Sequence, residues 1–356
     1  MKAISKLQNF KIEFDKILQE EILEWRREAV KLDERWELFM KVLEEFVVRG
    51  GKRIRPAFLY YSYLACGGSE EEKAMRAGVS LELLHAFLLI HDDLIDNSDL
   101  RRGGPTVHRV FEKEHRKMSL EGSSEEFGRS TAMILGDVVQ MLARKQLRKV
   151  GLEEGVYRES ERMMEDLLWE TAYGWYIEML NTKSGAIEET EVKRSMEYVS
   201  ARYTVSGPVK MGAMLAGVGV EKIKALEEYG LNLGLAFQIQ DDVLGMFGDE
   251  VKVGKPVESD LKEGKKTLLI LRTLDRLGDE ETKSKLMSIY GNREATKQDL
   301  VWVRDLIKSQ GVLDEVKSEA KELAEKAEKN LEGLEWSEEG EEFLLGIASY
   351  IVEREI

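Results

Sequence analysis

"HDDLIDNSDLRRGGPTVH", residues 91–108, places three aspartates within about one helical turn and follows them with two arginines, two glycines and a proline. The residues before it, GVSLELLHAFLLI, are apolar on most sides, as expected of a central helix. On that helix Asp92 and Asp96, flanked by Asp93, lie about 40° apart around the axis and about 6 Å apart along it. Carboxylates this close repel each other unless a cation or a proton offsets their charge. The stretch therefore predicts a cation site where a buried helix ends.

Long helices are expected throughout the chain, because its 356 residues contain only four prolines. Near the C-terminus, in residues 313–334, apolar side chains recur at steps of three and four with Glu and Lys between them, which indicates an amphipathic helix. No linker rich in proline, glycine or serine divides the chain, and no internal repeat is evident. We predict an all-α fold in a single domain over residues 1–356, with an exposed polar insertion near residues 112–128.

The overall composition narrows the class of protein. With 68 acidic and 53 basic residues the formal net charge is -15, which disfavours nucleic acid as a partner. The lone cysteine, Cys66, excludes an intramolecular disulfide and fits a reducing compartment. The N-terminal residues lack the apolar core of a signal peptide, and no apolar run is long enough for a transmembrane segment. We expect a cytoplasmic protein, for which the basic run RKQLRK (residues 144–149) leaves open a loose contact with an anionic membrane surface.

A second acidic stretch, AFQIQDDVLGMFGDE (residues 236–250), again ends an apolar helical run with paired aspartates, Asp241 and Asp242. Lysines follow it in GKPVESDLKEGKK (residues 254–266), and GGKRIRP (residues 50–56) adds a third basic stretch. Oxygen ligands favour Mg²⁺ or Ca²⁺, and Mg²⁺ typically completes its shell with a phosphate of the substrate. Basic side chains can hold that phosphate from the opposite side. Together the three stretches predict a site for a metal ion and a diphosphate.

In the order and spacing of these motifs the chain resembles the trans-isoprenyl diphosphate synthases, the family of farnesyl and geranylgeranyl diphosphate synthases. The resemblance extends from GGKRIRP to GKKTLL (residues 264–269). It implies a bundle of long helices around a deep central cavity, assembled as a homodimer. It also implies an Mg²⁺-dependent reaction that joins isopentenyl diphosphate head to tail with an allylic diphosphate.

The resemblance further implies roles for individual residues. The implied metal ligands are Asp92, Asp96, Asp241 and Glu178. The residues implied to hold isopentenyl diphosphate are Lys52, Arg55, His85 and Arg102. Those implied to face the allylic diphosphate are Arg101, Lys255 and Lys265, and those lining the site where the allylic cation forms are Phe237 and Gln238. No protein base is expected, because the released diphosphate can accept the final proton.

Product length depends, by the same resemblance, on the residues that precede the first acidic motif. Phe87 lies five residues before Asp92 and Leu88 four, so both lie about 6 to 8 Å along the helix, and Leu84 lies about one turn deeper. Family members with one aromatic residue at the fifth position before the motif tend to stop at twenty carbons. We therefore predict geranylgeranyl diphosphate as the product.

Several positions depart from the family pattern. Val199 stands where the family usually has a lysine that contacts the allylic diphosphate, and Trp175 replaces a glutamine. Glu178 replaces a metal-binding aspartate, which it can do chemically because it also offers carboxylate oxygens. Gly245 occupies the last position of the second DDxxD motif, as in related synthases with DDxxG. Of these changes, Val199 removes the most, since it cannot hold a phosphate.

Three other functions stay open. The departures leave room for an accessory, weakly active or inactive subunit of a hetero-oligomeric prenyl diphosphate synthase. A class I terpene cyclase shares the DDxxD chemistry but has no use for GGKRIRP. The Glu-x-x-His spacing of Glu82 and His85, and of Glu112 and His115, also matches a di-iron helical bundle.

Overall fold

The computed structural model of the protein describes residues 2–183, 188–248 and 259–353. Within these ranges the regular structure is helical apart from one two-stranded hairpin, so the predicted all-α fold is confirmed. None of the described helices is both long and apolar enough to cross a lipid bilayer. In chain order the elements are α1 (Lys2–Leu32), α2 (Trp36–Val48), α3 (Ile54–Ala65), α4 (Glu71–Ile95), β1 (Leu100–Arg101), β2 (Gly104–Pro105), α5 (Val107–Lys117), α6 (Ser124–Lys149), α7 (Glu154–Lys183), α8 (Glu189–Met196), a π-helix (Glu197–Ser206), α9 (Gly207–Leu215), α10 (Val220–Phe247), α11 (Ser259–Glu263), α12 (Leu268–Arg276), α13 (Glu280–Ile289), α14 (Lys297–Ser309), α15 (Val312–Asn330) and α16 (Glu338–Glu353).

The central helix predicted from the first acidic stretch is α4. Every residue from Ala77 to Ala86 is buried, so the middle of the helix has no face exposed to solvent. The last turn closes when the Asp96 backbone N–H donates to Asp92 O at 2.9 Å. α4 packs extensively against α6. Gly136 of α6 leaves room for the His91 ring, because a Cβ atom at this position would overlap the ring. This contact fixes the end of α4 that carries the aspartates.

Buried apolar side chains form two clusters, and α10 contributes to both. Its first half, including Leu233, belongs to the larger cluster with α1 to α6 and α16. Its second half, including Val243, belongs to the smaller cluster with α11 to α15. Phe237 and Gln238 lie where α10 passes from one cluster to the other, and Asp241 follows. The second acidic motif therefore starts at the junction of two packed regions.

The π-helix packs closely against α7 and α10. A Cβ atom on Gly174 of α7 would come within 2.7 Å of the Val199 side chain. On α10, a Cβ atom on Gly234 would come within 2.6 Å of a backbone carbon of the π-helix, and one on Gly230 would come nearer still. π-helices are rare and are frequently found at functional sites. The glycines of α7 and α10 that contact this one therefore help to set the geometry of the candidate site.

The polar segment 112–128 differs from the predicted exposed insertion at both of its ends. α5 continues to Lys117 and α6 begins at Ser124, so only a short turn separates two packed helices. Glu112 and His115 are buried on α5, together with Phe111. The ends of the segment are helical and partly buried because polar residues make up part of the buried face of α5, whereas most residues from 116 to 126 are exposed.

The amphipathic helix predicted over residues 313–334 ends about one turn early. α15 stops at Asn330, and Leu334 lies beyond its end. Gly333 has a φ of 79°, a left-handed conformation that glycine adopts readily and that does not continue a helix.

Replacing Gly230 with alanine should lower the free energy of unfolding by about 1–3 kcal/mol, because the new methyl group would overlap the backbone of Ser206. Denaturant unfolding followed by circular dichroism measures the change. Gly278→Ala is the matched control, since a Cβ atom there meets nothing within 4 Å. Equal stability of the two variants would contradict the close approach of α10 to the π-helix.

Candidate active site

One guanidinium group ties the first acidic motif to the hairpin that follows it. Arg101 donates from Nε to Asp93 Oδ1 at 2.7 Å and from Nη2 to Asp92 Oδ2 at 3.0 Å. Asp93 is buried, whereas the Asp92 side chain keeps 31% of its accessible surface. Burial disfavours the charged form of Arg101, but the charges of Asp93 and Asp92 outweigh it and raise the pKa. Asp93 thus faces Arg101, and of these two aspartates Asp92 is the more accessible to a ligand.

The hairpin places Arg102 at the first position of a two-residue turn. Arg102 and Gly103 have φ values of 53° and 73°, the positive sign that a type I′ turn requires at both positions. A left-handed backbone is strained for arginine, so contacts around the hairpin must hold the residue in this conformation. In one such contact the Thr106 hydroxyl donates to the Ser98 carbonyl, before the hairpin, at 2.9 Å. The turn brings Arg102 Nη1 to 3.4 Å from Gly50 O, at the start of GGKRIRP.

The middle arginine of GGKRIRP has a structural role. Arg53 is buried and adopts a φ of 52° immediately before α3. Its Nε donates to Asp15 Oδ1 at 2.7 Å, its Nη1 donates to Glu82, and its Nη2 donates to Val47 O at 2.9 Å. These bonds hold the loop against α1 and α4, so the charge of Arg53 is compensated within the protein.

Arg55, two residues later, reaches from the first turn of α3 to the π-helix. Its Nη2 donates to Thr204 Oγ1 at 2.7 Å, and its guanidinium carbon lies 4.4 Å from the centre of the Tyr203 ring. Its Nε is buried and meets no acceptor among the described residues. Among the described residues, Arg53 and Arg101 form ion pairs, whereas Arg55 and Arg102 form none. These two partly buried cations therefore lack a carboxylate partner, and an anionic ligand would supply the missing negative charge.

His85 lies beside these arginines on α4. Burial, followed by the charges of Arg55 and Arg102, holds the pKa of His85 well below its ordinary value, so the imidazole is neutral. Its Nδ1 is buried and has no partner in the described ranges. Burial also lowers the pKa of Arg102; Glu82 acts in the opposite sense, and the neighbouring arginines add to the lowering. Excess positive charge next to a neutral hydrogen-bonding group suits an anion such as a diphosphate.

A cavity forms the second part of the site. Residues on its walls are Glu178, Val199, Gln238, Asp242, Lys265 and Lys266. Gln238 donates from Nε2 to Asp242 Oδ1 at 2.8 Å, which fixes its amide beside the second acidic motif. Burial lowers the pKa of Lys266. The tertiary structure thus brings Glu178, Gln238 and Lys265, which are far apart in sequence, to one cavity.

The predicted metal ligands do not form a compact cluster. Across the described ranges, no three aspartate, glutamate, histidine or cysteine side chains are grouped closely enough to hold a metal ion. Asp92, Asp96 and Asp241 are each partly exposed. Carboxylate oxygens are the donors that Mg²⁺ prefers, and Mg²⁺ usually takes one or two of them together with substrate phosphate. The donor chemistry therefore fits a divalent cation shared with a diphosphate, and the roles of these residues as ligands stay predictions.

The other predicted residues differ in their surroundings. Lys52 is exposed before α3, and Phe237 is half-buried against the larger cluster. Lys255 lies outside the described residues. Phe87 is half-buried with its ring 4.6 Å from the His91 ring. Residues buried on the same helix are Leu84 and Leu88.

Comparison with known proteins assigns the chain to a family. The model of the polyprenyl synthetase family matches residues 36–307. The chain belongs to the polyprenyl synthetase family. The geranylgeranyl diphosphate synthase of Saccharolobus solfataricus is 32% identical over 322 residues, which cover 88% of this chain and 91% of that protein. The geranylfarnesyl diphosphate synthase of Aeropyrum pernix is 32% identical over 326 residues, which cover 86% of this chain and 91% of that protein.

A solved structure extends the similarity to the whole polyprenyl synthetase fold. The geranylgeranyl pyrophosphate synthase of Corynebacterium glutamicum, complexed with isoprenyl diphosphate and magnesium, matches with a TM-score of 0.90 at 29% identity. The match covers 96% of this chain and 99% of that chain. The resemblance to the trans-isoprenyl diphosphate synthases, predicted from the motifs, is confirmed.

The di-iron alternative is wrong for this family member. The Glu82 carboxylate accepts from Arg53, and the Glu112 carboxylate accepts from Arg109 at 2.7 Å. His115 Nε2 lies 3.2 Å from a backbone carbonyl oxygen in the turn after α5. Both glutamates and His115 are therefore engaged in contacts within the protein, and no metal cluster joins the two pairs in the described part of the chain.

Two departures from the family pattern meet near the cavity. Val199 lines it and packs against Gly174 of α7. Trp175 is the next residue of α7 and is half-buried, and Glu178 lies about one turn further on, at the cavity wall. A valine at this contact fits because glycine on α7 gives it room.

Sequence reasoning assigned no individual role to four residues of the site. Asp242 and Lys266 line the cavity, and both stand next to residues that were predicted, so adjacency was a usable signal. Tyr203 and Thr204 hold Arg55 from the π-helix. No sequence signal identified them, because a hydroxyl group and an aromatic ring in an apolar helix are usually part of the core.

Replacing Val199 with lysine should lower the KM for the allylic diphosphate by about threefold or more, because it adds positive charge to a cavity wall already shared by Lys265. Initial rates at saturating isopentenyl diphosphate measure it. Val199→Met is the matched control, since methionine adds length without charge. A KM that rises or stays constant in the lysine variant would show that this wall does not face the allylic phosphates.

Proposed function

We propose that the protein is an Mg²⁺-dependent synthase that condenses isopentenyl diphosphate with allylic diphosphates and releases mainly geranylgeranyl diphosphate. Its membership of the polyprenyl synthetase family makes it a prenyltransferase that forms short-chain prenyl diphosphates. The observation that carries the choice of substrate site is the pair Arg55 and Arg102, two partly buried guanidinium groups with no ion-pair partner among the described residues. A diphosphate supplies the missing negative charge.

Isopentenyl diphosphate is held by Arg55, His85 and Arg102, with Lys52 at the exposed edge. The arginines offer paired N–H donors, and the neutral imidazole offers a hydrogen bond without further charge. Gly51 lets the backbone lie close to Arg102, since a Cβ atom there would come within 3.0 Å of the guanidinium carbon. Together these groups orient the substrate whose double bond attacks the allylic carbon.

The allylic diphosphate meets the two acidic motifs. Residues that would hold Mg²⁺ are Asp92, Asp96, Asp241 and Glu178. When bound, Mg²⁺ offsets the negative charge that develops on the departing diphosphate. Residues that supply positive charge to the same group are Arg101, Lys255 and Lys265. Because the Arg101 guanidinium is already held by Asp92 and Asp93, it need not reorganise as the bond breaks.

The carbon skeleton lies away from these charges. Phe237 and Gln238 line the space where the allylic carbon loses its diphosphate, and the hydrogen bond from Gln238 to Asp242 keeps the amide in place. The released diphosphate accepts the final proton, so no side chain acts as a base. Phe87 limits the growing chain at twenty carbons, with Leu88 and Leu84 beside and below it on α4.

The partner that we propose is a second copy of this chain. On α7, Trp169, Tyr173, Tyr176 and Leu180 follow one another at helical spacing and are 44–78% exposed. On the neighbouring α6, further large apolar side chains are exposed at Met133, Ile134 and Met141. Exposed apolar side chains in this number on two neighbouring helices indicate an interface, and a twofold-related copy would cover them.

A reducing cytoplasm suits the half-buried free thiol of Cys66.

The function is tested with purified protein, Mg²⁺, isopentenyl diphosphate and an allylic primer of five, ten or fifteen carbons, with products identified by mass. Asp92→Ala and Asp96→Ala should each lower kcat/KM by about 100-fold or more, because the cation that offsets the diphosphate charge loses an anchor. Asp305→Ala is the matched control, an exposed helical aspartate on α14. It should keep the rate of the unaltered protein.

Two outcomes of this assay would contradict the proposal. Near-normal rates in both aspartate variants would remove the metal site from the first motif. Absence of condensation with every primer would favour the accessory-subunit alternative, which the departures at Val199 and Trp175 motivate, and adding a catalytic partner subunit would then restore activity.

Product length gives a separate test of the cavity beside α4. Phe87→Ala should lengthen the main product beyond twenty carbons, because it removes a bulky ring from the wall that the tail meets. Leu88→Phe should shorten the product toward fifteen carbons for the opposite reason. Product masses from assays with a five-carbon primer measure both changes.

The control for this pair is Leu89→Phe, which adds the same ring to the adjacent residue of α4. Leu89 is half-buried and packs against the larger apolar cluster. It should leave product length unchanged. Identical products from all three variants would show that another wall sets the limit.

A further inference from the structure

Two separate elements meet at the Arg55 side chain. Arg55 begins in the first turn of α3, and the groups that contact its guanidinium belong to the π-helix, 149 residues later in the chain. Thr204 Oγ1 accepts from Arg55 Nη2 at 2.7 Å. The Tyr203 ring lies against the guanidinium, 4.4 Å from its central carbon. The guanidinium is thus held on one nitrogen and one face, while Nε remains without an acceptor among the described residues.

The hydroxyl of Thr204 is well suited to hold a cation in one orientation. Thr204 is fully buried, so water does not compete for the bond. A β-branched side chain has few rotamers, which limits where Oγ1 can lie. A hydrogen bond to a charged donor contributes more than one between neutral groups.

The π-helix itself is fixed in place from two sides. Gly174 of α7 lies against Val199 near the start of the π-helix. Gly234 of α10 lies against its middle and Gly230 against its last residue, all at distances that exclude a Cβ atom. Thr204 therefore cannot shift along or around the helix without breaking these contacts. The position of its hydroxyl is set by the packing of three helices.

We propose that Thr204 is a positioning residue for isopentenyl diphosphate, which it serves by fixing the orientation of the Arg55 guanidinium. The inference rests on the proposed role of Arg55 in binding that substrate. The π-helix then serves both sites. Val199 lines the cavity of the allylic site, and Thr204 sets the affinity of the isopentenyl site. A purely structural Thr204 would affect stability and leave substrate affinity unchanged.

The experiment compares steady-state constants for both substrates. Thr204→Val keeps the shape of the side chain and removes the hydroxyl, and it should raise the KM for isopentenyl diphosphate about tenfold. The kcat and the KM for the allylic diphosphate should stay within about twofold, because the lost interaction is made equally in the bound substrate and the transition state. Thr204→Ser should restore the KM to within about threefold of the unaltered protein, since it keeps the hydroxyl.

A matched control separates orientation of Arg55 from disturbance of the π-helix. Thr171 of α7 is also buried, and its hydroxyl donates to Leu167 O at 2.7 Å and lies 3.4 Å from Tyr198 O of the π-helix. Thr171→Val removes a buried hydroxyl beside the same helix without touching Arg55. It should leave the KM for isopentenyl diphosphate unchanged, and a rise equal to that of Thr204→Val would overturn the proposal.

A double-mutant cycle with Arg55→Gln tests whether Thr204 acts through Arg55. Arg55→Gln should raise the KM for isopentenyl diphosphate at least as much as Thr204→Val does. In the Arg55→Gln background, Thr204→Val should add less than about twofold, because its partner is already gone. Two effects that multiply fully would show that Thr204 acts independently, which overturns the inference.

The cycle also keeps failure of the inference distinct from failure of the proposed function. If Arg55→Gln leaves the KM for isopentenyl diphosphate unchanged, the assigned substrate site is wrong, and the inference falls with it. If Arg55→Gln raises that KM and Thr204→Val does not, the substrate site stands and the inference alone is overturned. Thermal unfolding of each variant verifies that it is folded, and Thr204→Ala carries the same test should Thr204→Val not fold.

Discussion

The compensation of charge around GGKRIRP is the constraint on which the rest of the site depends. A buried guanidinium is tolerated only where carboxylates and backbone oxygens replace its lost hydration. Arg53 meets this condition with Asp15, Glu82 and a backbone carbonyl, and it thereby fixes the loop against α4. Once the loop is fixed, Arg55 projects toward Thr204, a neutral group. The charge that remains uncompensated defines the ligand as an anion.

The hairpin after α4 repeats this division between two adjacent arginines. Arg101 is buried against Asp92 and Asp93 and holds the hairpin to the end of the helix. Arg102, at the turn, has a left-handed backbone and reaches back to the carbonyl of Gly50. In both places one arginine is paired with carboxylates of the protein, and its neighbour has no ion-pair partner among the described residues. Arg55 and Arg102 both lie near enough to His85 to act on its pKa, and together they suit a diphosphate with charge on both phosphates.

Close helix packing connects the surroundings of Arg55 to the second acidic motif. The π-helix places Thr204 against Arg55, and it contributes Val199 to the cavity that contains Glu178 and Lys265. Glycines on α7 and α10 let both helices contact it directly. α10 in turn passes from the larger apolar cluster to the smaller one at the level of Phe237. Both proposed substrate sites therefore depend on the same close contacts, since dense packing transmits small displacements.

The sequence by itself determined the fold class and the family. Scarce prolines and apolar residues at helical spacing predict long helices, and acidic motifs followed by basic ones predict a site for a metal ion and a diphosphate. Local composition did not predict that polar side chains of α5 in segment 112–128 are buried. It also did not predict the side-chain directions of the aspartates, because these depend on Arg101, which the hairpin brings back to the helix.

Only the tertiary structure decided which basic residues are available. Arg53 and Arg55 are equivalent in sequence, yet one is neutralised by Asp15 and Glu82 and the other is oriented by Thr204. These partners lie between 29 and 149 residues away in the chain. Charge compensation acts over a few ångströms of space, and distance along the chain does not report it. The family was therefore predictable from the motifs, whereas the fold was needed to show which basic side chains are paired within the protein.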